Sequence, residues 1–328
     1  MSKFLIFRTD RIGDFIFSRI LTESIKNDDP KNTIDFVCSS YNSKYVKNYS
    51  DIKNIYILDK YNLILMLKNL FKINNIKYDY LIILDGKRRS IFFSLLLNAK
   101  KKFAVVKDFR PYLLLKFFFN NFFINSEVNS QYSNFSAIIN YLNIKVPDKI
   151  NYYNDYKFKK SNYKNLPSNF TLLHLDEKWF EGHYYKDFDY MNLNIKNFDL
   201  LIRTIFSKFN NDIIITTGRI NIKQFELLKQ KFFIKIRKNI FKSNIFRKKL
   251  IFIDKTDFRD LEYIVKKSSN VICCEGAISH VSNAFNKNTY ALINNYKTAR
   301  FWTSHMINLK LLKRTNITKL CKKIISIK

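Results

Sequence analysis

Short apolar runs rich in Ile, Phe and Val alternate along the chain with stretches whose apolar residues recur at a spacing near 3.6, the pattern of strands alternating with helices. In the first half, strands are expected at Lys3 to Arg8, Thr33 to Cys38, Ile55 to Leu58, Tyr80 to Asp85 and Phe103 to Val106, with helices between them. The clearest helix is Asp14 to Lys26, which gathers Phe15, Ile16, Ile20, Leu21 and Ile25 on one face. Between Val146 and Asn169 the pattern lapses into Lys, Asn, Tyr and Asp with Pro147 and Pro167, a linker composition. It then restarts, with strands expected at Phe170 to Leu175, Asp212 to Thr217, Leu250 to Ile253, Val271 to Cys274 and Thr289 to Ile293. The helices between these are Phe198 to Phe209, Ile222 to Lys231, Asp257 to Lys267 and Ile278 to Phe285. Strand and helix in alternation imply an α/β class. The expectation is two doubly wound domains, 1–150 and 169–328, joined by a linker at 151–168 and facing a cleft at the carboxyl ends of their strands.

Composition narrows the partners. The 328 residues carry 58 Lys plus Arg against 27 Asp plus Glu, a net charge of +31, which favours anionic company: nucleic acid, an anionic leaflet or phosphorylated substrates. A chain rich in Lys, Asn, Ile and Phe with only 5 Gly and 4 Pro also reads as the product of AT-biased coding, which would give the same charge. The four cysteines, Cys38, Cys273, Cys274 and Cys321, have neither zinc spacing nor the look of a disulfide framework, so a reducing cytoplasm is expected. The N-terminus is broken by charge and does not read as a signal peptide. Lysines and Arg110 interrupt the apolar region from Ser90 to Ile124, leaving no run near the roughly 18 residues that span a bilayer.

Three strand ends carry candidate chemistry. There is no GxGxxG and no P-loop, so a phosphate would be held at a helix N-terminus, where free N–H groups and the macrodipole meet an anion. In the first, FLIFRTDRIGDFIFS, Gly13 is expected to turn the chain and Asp14 to lie on the first helical turn, as a general base for a hydroxyl or as a plain N-cap. Arg8 and Arg11 in that loop suit an acidic acceptor or are solvated. In the second, ICCEGAISHVSNAF, Glu275 leaves the strand, Gly276 turns, and the amides from Ala277 through Ile278 to His280 open a helix on which a nucleotide diphosphate would dock. There Glu275 would take sugar hydroxyls or merely offset the dipole, and His280 could equally be core. In the third, LLHLDEKWF, Lys178 would neutralise a leaving diphosphate. Two weaker loops are DGKRRS, where Lys87, Arg88 and Arg89 suit a phosphorylated acceptor, and TTGR, where Thr217 and Gly218 would touch the nucleotide. Four histidines without HxH or HExxH spacing give no metal site.

Taken together, RTDRIGD with Ser18, DGKRRS and CCEGAISHVSNAFNKNTYALI resemble, in order and spacing, glycosyltransferase family 9, the ADP-heptose lipopolysaccharide heptosyltransferases. The resemblance implies a GT-B fold of two Rossmann-like domains, acceptor-binding then nucleotide-sugar-binding. It also implies inverting, metal-independent transfer of a sugar, by default heptose from ADP-heptose, to the lipopolysaccharide core or a related cell-surface glycan. By that resemblance Asp14 matches the catalytic base and Lys178 the donor-contacting lysine, while Glu275, Gly276 and Ala277 depart from the family's Asp, Thr or Ser, and Gly. It further implies an acidic phosphorylated glycolipid acceptor and a cytoplasmic protein touching the inner leaflet, for which Lys87 to Lys116 and Phe117 to Phe119 are the expected contact. Competing readings are a GT-B sugar-nucleotide epimerase, which needs no acceptor, an inactive family member, and a non-catalytic basic protein binding nucleic acid or membrane, although no nucleic-acid motif is present.

Overall fold

The computed structural model describes residues 1–59, 61–106, 117–119, 121–124, 130–145, 163, 165–180, 193–218, 220 and 222–327. The chain divides into two compact units, Met1–Lys157 with Arg300–His305, and Phe158–Ala299 with Met306–Lys328. Most of the expected linker, 151–162 and 164, lies outside the described residues, as do Gly182, Lys107, Arg110, Lys116 and Arg219.

Unit 1 runs β1 (Lys3–Arg8), α1 (Ile12–Asp28), β2 (Thr33–Cys38), α2 (Ser43–Val46), β3 (Ile52–Ile57), α3 (Leu63–Asn74), β4 (Tyr78–Ile83), α4 (Arg88–Leu95), β5 (Ala99–Val106), β6 (Asn121–Ile124) and α5 (Gln131–Tyr141). Its six strands are parallel in the order β3-β2-β1-β4-β5-β6. Because side chains alternate across a strand, Leu5 and Phe7 join Ile73, Ile91 and Phe93 in a core under α3 and α4. On the other face Phe15 of α1 meets Phe36 at 5.2 Å and Phe17 meets Phe135 of α5 at 4.9 Å. His305, from the C-terminal region, packs edge-on against Phe17 at 5.0 Å and stacks on Tyr132 at 5.7 Å in this unit. α1 is also pinned by the fully buried Arg19, which pairs with Asp51 and Glu23 and donates to Thr22 Oγ1 at 2.8 Å. A buried guanidinium is tolerable only when so compensated.

Unit 2 runs β7 (Phe170–Leu175), a 3-10 turn (Glu177–Trp179), α6 (Ile195–Phe209), β8 (Asp212–Thr217), α7 (Lys223–Phe232), β9 (Ile234–Arg237), β10 (Ile240–Ser243), β11 (Leu250–Ile253), α8 (Phe258–Lys267), β12 (Asn270–Cys274), α9 (Ala277–Ala284), β13 (Asn288–Ile293), α10 (Tyr296–Thr303, which belongs to unit 1 from Arg300 onward), β14 (Leu309–Lys313) and α11 (Ile317–Ser326). The eight strands lie in the order β14-β13-β12-β7-β8-β11-β10-β9. The first six are parallel, and β10 and β9 add an antiparallel hairpin at one edge. Asn239 supplies the left-handed residue of its turn, at φ 60°.

In each sheet the strand order reverses once, between β1 and β4 in unit 1 and between β7 and β12 in unit 2. Such a switch point leaves a crevice at the carboxyl ends of the strands, because the two connections leave in opposite directions. Every candidate loop of the sequence falls beside one of these two points except TTGR, which follows β8.

Candidate functional site

At the unit 1 switch point, α1 begins at Ile12 with Arg11 as its N-cap, so Gly13 is the second helical residue and not a turn. Among the described residues the glycines with positive φ are Gly86 (58°) and Gly276 (153°). Asp14 is therefore third in the helix and not its N-cap. Its Oδ2 reaches back to accept the Arg11 amide at 3.2 Å, the reciprocal half of a capping box. Arg8 ends β1 only 2% exposed. Its Nη2 donates to Asp14 Oδ1 at 3.2 Å, its Nε to Asp14 O at 3.3 Å, and its Nη1 to Leu84 O, with Asp10 3.7 Å away. The residue expected to bind an acceptor thus orients the carboxylate instead. Each Asp14 oxygen takes one hydrogen bond and keeps a lone pair for an incoming hydroxyl.

The β4 loop closes the other side. Asp85 accepts from Thr9 N (3.1 Å), Thr9 Oγ1 (2.5 Å), Ser90 Oγ (2.7 Å) and Lys87 N (3.1 Å), tying the two strand ends together. Gly86 is required here, because a Cβ would lie 2.7 Å from Val105 O. Lys87 turns inward, its Nζ on Asp10 Oδ1 at 2.6 Å and Thr9 O at 3.0 Å, whereas Arg88 is exposed and Arg89 half-buried. Burial lifts the Asp10 carboxyl above the ordinary carboxylate value, against the pull of Arg8 and Lys87. Asp10 was not singled out from the sequence. It lies in the same strand-to-helix loop as Asp14, and the rule that flagged that loop applies to it equally.

At the unit 2 switch point, Lys178 follows β7 and Glu275 follows β12, and they meet: Lys178 Nζ donates to Glu275 O at 2.6 Å. Gly276 adopts φ 153°, ψ −151°, and a Cβ there would lie 2.7 Å from Lys178 Nζ. Glycine lets the ammonium lie against the start of α9, where the first amides, those of Ala277 and Ile278, are donors without a helical acceptor. Ser279 Oγ holds the turn from Gly276 N (3.2 Å) to Gly276 O (2.7 Å). The Ile278 and His280 side chains are buried, and the His280 amide already donates to Gly276 O at 3.4 Å, which leaves the Ile278 amide among the helix's N-terminal donors.

Burial opposes the charge on Lys178, but Asp176 and Glu275 outweigh it and hold its pKa above the usual lysine value. Asp176 is pushed up by burial against Lys178 and Arg314. Arg314, which follows β14, donates to Lys178 O and is 6% exposed. It escaped the sequence reading because only the β14-β13-β12 order brings it here. Thr217 is fully buried, its hydroxyl donating to Asp254 Oδ1 at 2.8 Å and accepting from Lys255 N at 2.8 Å, while Lys229 pairs with Asp254 Oδ2 at 2.6 Å. Its hydroxyl is thus bound up inside the unit. Gly218 beyond it has open space, with no atom within 4 Å of a built Cβ.

Gly276→Ala combines a backbone conformation that side chains avoid with a clash against Lys178, so we expect about 1–3 kcal/mol lost in urea unfolding. Wild-type stability of this variant would refute the reading of Gly276 as a strained turn held against Lys178.

Of the expected membrane segment, 107–116 lies outside the described residues; Phe117 and Phe118 are exposed, and Phe119 is core. No group of three or more metal-ligating side chains is found among the described residues, and no helix among them is long and apolar enough to cross a membrane.

No protein-family profile matches the sequence, and no curated protein does. Solved structures do. The chain is similar to E. coli heptosyltransferase WaaC with ADP, at 12% identity and TM-score 0.65 over 98% of this chain and 96% of that one. It is similar to the glycosyl transferase family 9 structure from Veillonella parvula DSM 2008, at 12% identity and TM-score 0.68 over 99% and 93%. At TM-score 0.53 and 13% identity it also resembles UDP-GlcNAc 2-epimerase from Methanocaldococcus jannaschii, over 99% and 92%. With six- and eight-stranded doubly wound sheets in its two units, and these neighbours over nearly its whole length, the chain has the GT-B fold.

Proposed function

We propose that the protein is a metal-independent, inverting glycosyltransferase that takes a sugar from a nucleoside diphosphate donor, ADP-heptose by default. The acceptor hydroxyl would belong to a phosphorylated cell-surface glycolipid such as a lipopolysaccharide core. The observation that carries the reading is Asp14, a partly exposed carboxylate on the first turn of α1, clamped by the buried Arg8 and the Arg11 amide at a switch point. Held so, it accepts the proton of an acceptor hydroxyl as that oxygen attacks the anomeric carbon. The diphosphate leaves from unit 2, where Lys178 and the α9 amides offer fixed positive charge to the developing anion. Lys87, Arg88 and Arg89 border Asp14's loop with cations for acceptor phosphates. The similarity to a heptosyltransferase with ADP supports an adenine nucleotide.

The test is a melting panel with ADP, UDP, GDP, CMP and short DNA at two salt concentrations. A ligand present at 100 times its Kd stabilises the folded protein by about 2.7 kcal/mol. We expect a salt-tolerant shift with ADP alone. A different diphosphate would keep the transferase and replace the donor. DNA shifting the melt at low salt only, with no nucleotide doing so, would overturn the reading. Product analysis separates transfer from epimerisation, which alters the donor sugar without an acceptor.

A further inference from the structure

Lys178 lies in a 3-10 turn of three residues, a tight coil whose own hydrogen bonds are poorly aligned. Two charged side chains hold it. The Lys178 amide donates to Asp176 Oδ1 at 3.2 Å and its carbonyl accepts from Arg314 Nη2, so both of its backbone polar groups end on ionisable side chains. The buried Trp179 anchors the next residue, its Nε1 donating to His174 O at 3.0 Å and its amide to Asp176 O at 3.1 Å. With the backbone fixed in this way, Lys178 Nζ gives one of its three protons to Glu275 O and keeps two donors for an anion.

Arg314 comes from far along the chain. It follows β14, and its amide donates to Ile293 O at 2.8 Å, which carries the β13–β14 ladder one residue further and brings the side chain to the carboxyl ends of the strands. β13 and β12 stand between β14 and β7 in the sheet, so the guanidinium meets Lys178 across the ends of two strands. Burying a guanidinium is costly unless it is compensated, and a neutral amide or hydroxyl would serve a lone carbonyl as well. The compensation is Asp176, on whose carboxyl both Lys178 and Arg314 act against burial. The planar fork allows one guanidinium to hold the Lys178 carbonyl while acting on Asp176. What this fixes is the direction of the Lys178 side chain.

We propose that Arg314 is a positioning residue for a nucleoside diphosphate: it anchors the Lys178 backbone so that the ammonium stays at the start of α9, against the β-phosphate. This rests on the nucleotide donor proposed above, in which the β-phosphate oxygen takes up negative charge as the bond to the sugar breaks. Arg314 acts through Lys178 and does not itself touch the ligand. Its effect is therefore large for a nucleotide that carries a β-phosphate and small for one that lacks it.

The experiment is calorimetric titration of the full-length protein with ADP and with AMP, in wild type, Arg314→Met, Arg314→Lys, Lys178→Met and the Arg314→Met/Lys178→Met pair. We expect Arg314→Met to weaken ADP about tenfold and AMP by less than about threefold, a loss the size of one charge-assisted hydrogen bond. Arg314→Lys keeps a charged donor and should recover most of it. In the Lys178→Met background the Arg314→Met change should cost nothing further, because the ammonium that it positions is gone. Each variant is first melted without ligand; if Arg314→Met does not fold, Arg314→Gln, shorter by two atoms and uncharged, takes its place with the same expectation. Equal losses for ADP and AMP would mean a general structural effect and overturn the assignment. So would wild-type ADP affinity in Arg314→Met, or an undiminished loss in the Lys178→Met background. If wild type binds another nucleoside diphosphate instead, that diphosphate and its monophosphate are compared; if it binds none, the proposed donor fails and the role of Arg314 with it.

Discussion

Asp14→Asn should reduce sugar transfer by about 10²- to 10⁴-fold, the usual contribution of a positioned general base. The effect is expected in kcat, because the amide removes proton acceptance while keeping an oxygen to cap the Arg11 amide. Arg8 retains Leu84 O and Asp10 within reach, so unfolding should shift by no more than about 1 kcal/mol, the worth of a charge-assisted bond that is partly replaced. The rise in melting temperature with ADP, which the proposed function assigns to unit 2, should persist. Wild-type turnover in Asp14→Asn would remove Asp14 from the chemistry. Loss of fold would instead assign it to capping, the alternative that its position leaves in play. Arg8→Lys makes a useful companion: one ammonium cannot span Asp14 and Leu84 O as the guanidinium does, so positioning is lost while charge is kept.

The second large effect concerns pH. His174, which ends near the unit 2 switch point, is buried, and burial holds its pKa down to about 4 from the ordinary 6.5, with Lys178 adding to the depression against Glu177. Its Nδ1 lies 3.0 Å from Thr216 Oγ1. The unfolded chain binds this proton more readily than the folded one, so stability from neutral His174 is fully present above pH 6.5 and drains away between pH 6.5 and 4. The depression corresponds to at most about 3 kcal/mol. Asp10 and Asp176, both raised by burial, act in the opposite direction, since their neutral forms favour the folded state as the solution acidifies. A single pH curve therefore mixes the three. The difference between wild type and His174→Gln isolates the imidazole: the wild-type advantage at pH 7 should narrow by up to about 3 kcal/mol at pH 4. Parallel urea-unfolding curves across that range would show that His174 does not titrate on unfolding.

The sheets were legible in the sequence because their parallel strands are buried on both faces and so appear as continuous apolar runs, such as Phe170–Leu175 and Asp212–Thr217. What escaped was whatever departs from that burial. Ile234–Arg237 and Ile240–Ser243 form a largely exposed hairpin whose lysines and arginine mask its alternation. Ala99–Val106 begins at Ala99, four residues before Phe103, because Lys100 and Lys101 sit at its wet end. The helices Leu63–Asn74 and Arg88–Leu95 were not delimited, since residues apolar on both faces give no clean period. Residue types and order sufficed to place Asp14 on the first turn of a helix after a strand, Lys178 after β7 and Gly276 at the start of α9. Spacing could not reveal that Arg8 faces inward, that Thr217 is bound to Asp254, or that Arg314 arrives from the far end of the chain.

The hairpin edge has one more consequence. β9 is the outermost strand of the eight-stranded sheet, and all four of its residues, Ile234, Lys235, Ile236 and Arg237, are exposed. Among the described residues no strand pairs with its outer side, so the edge presents two isoleucines, and the cations between them are the charges that keep natural edges apart. With a net charge of +31, long-range repulsion between molecules does the same work at a distance. Concentrated salt removes that repulsion while leaving the isoleucines in place. Added salt thus weakens the long-range protection of so basic a protein and leaves the cations of β9 as the remaining guard of that strand.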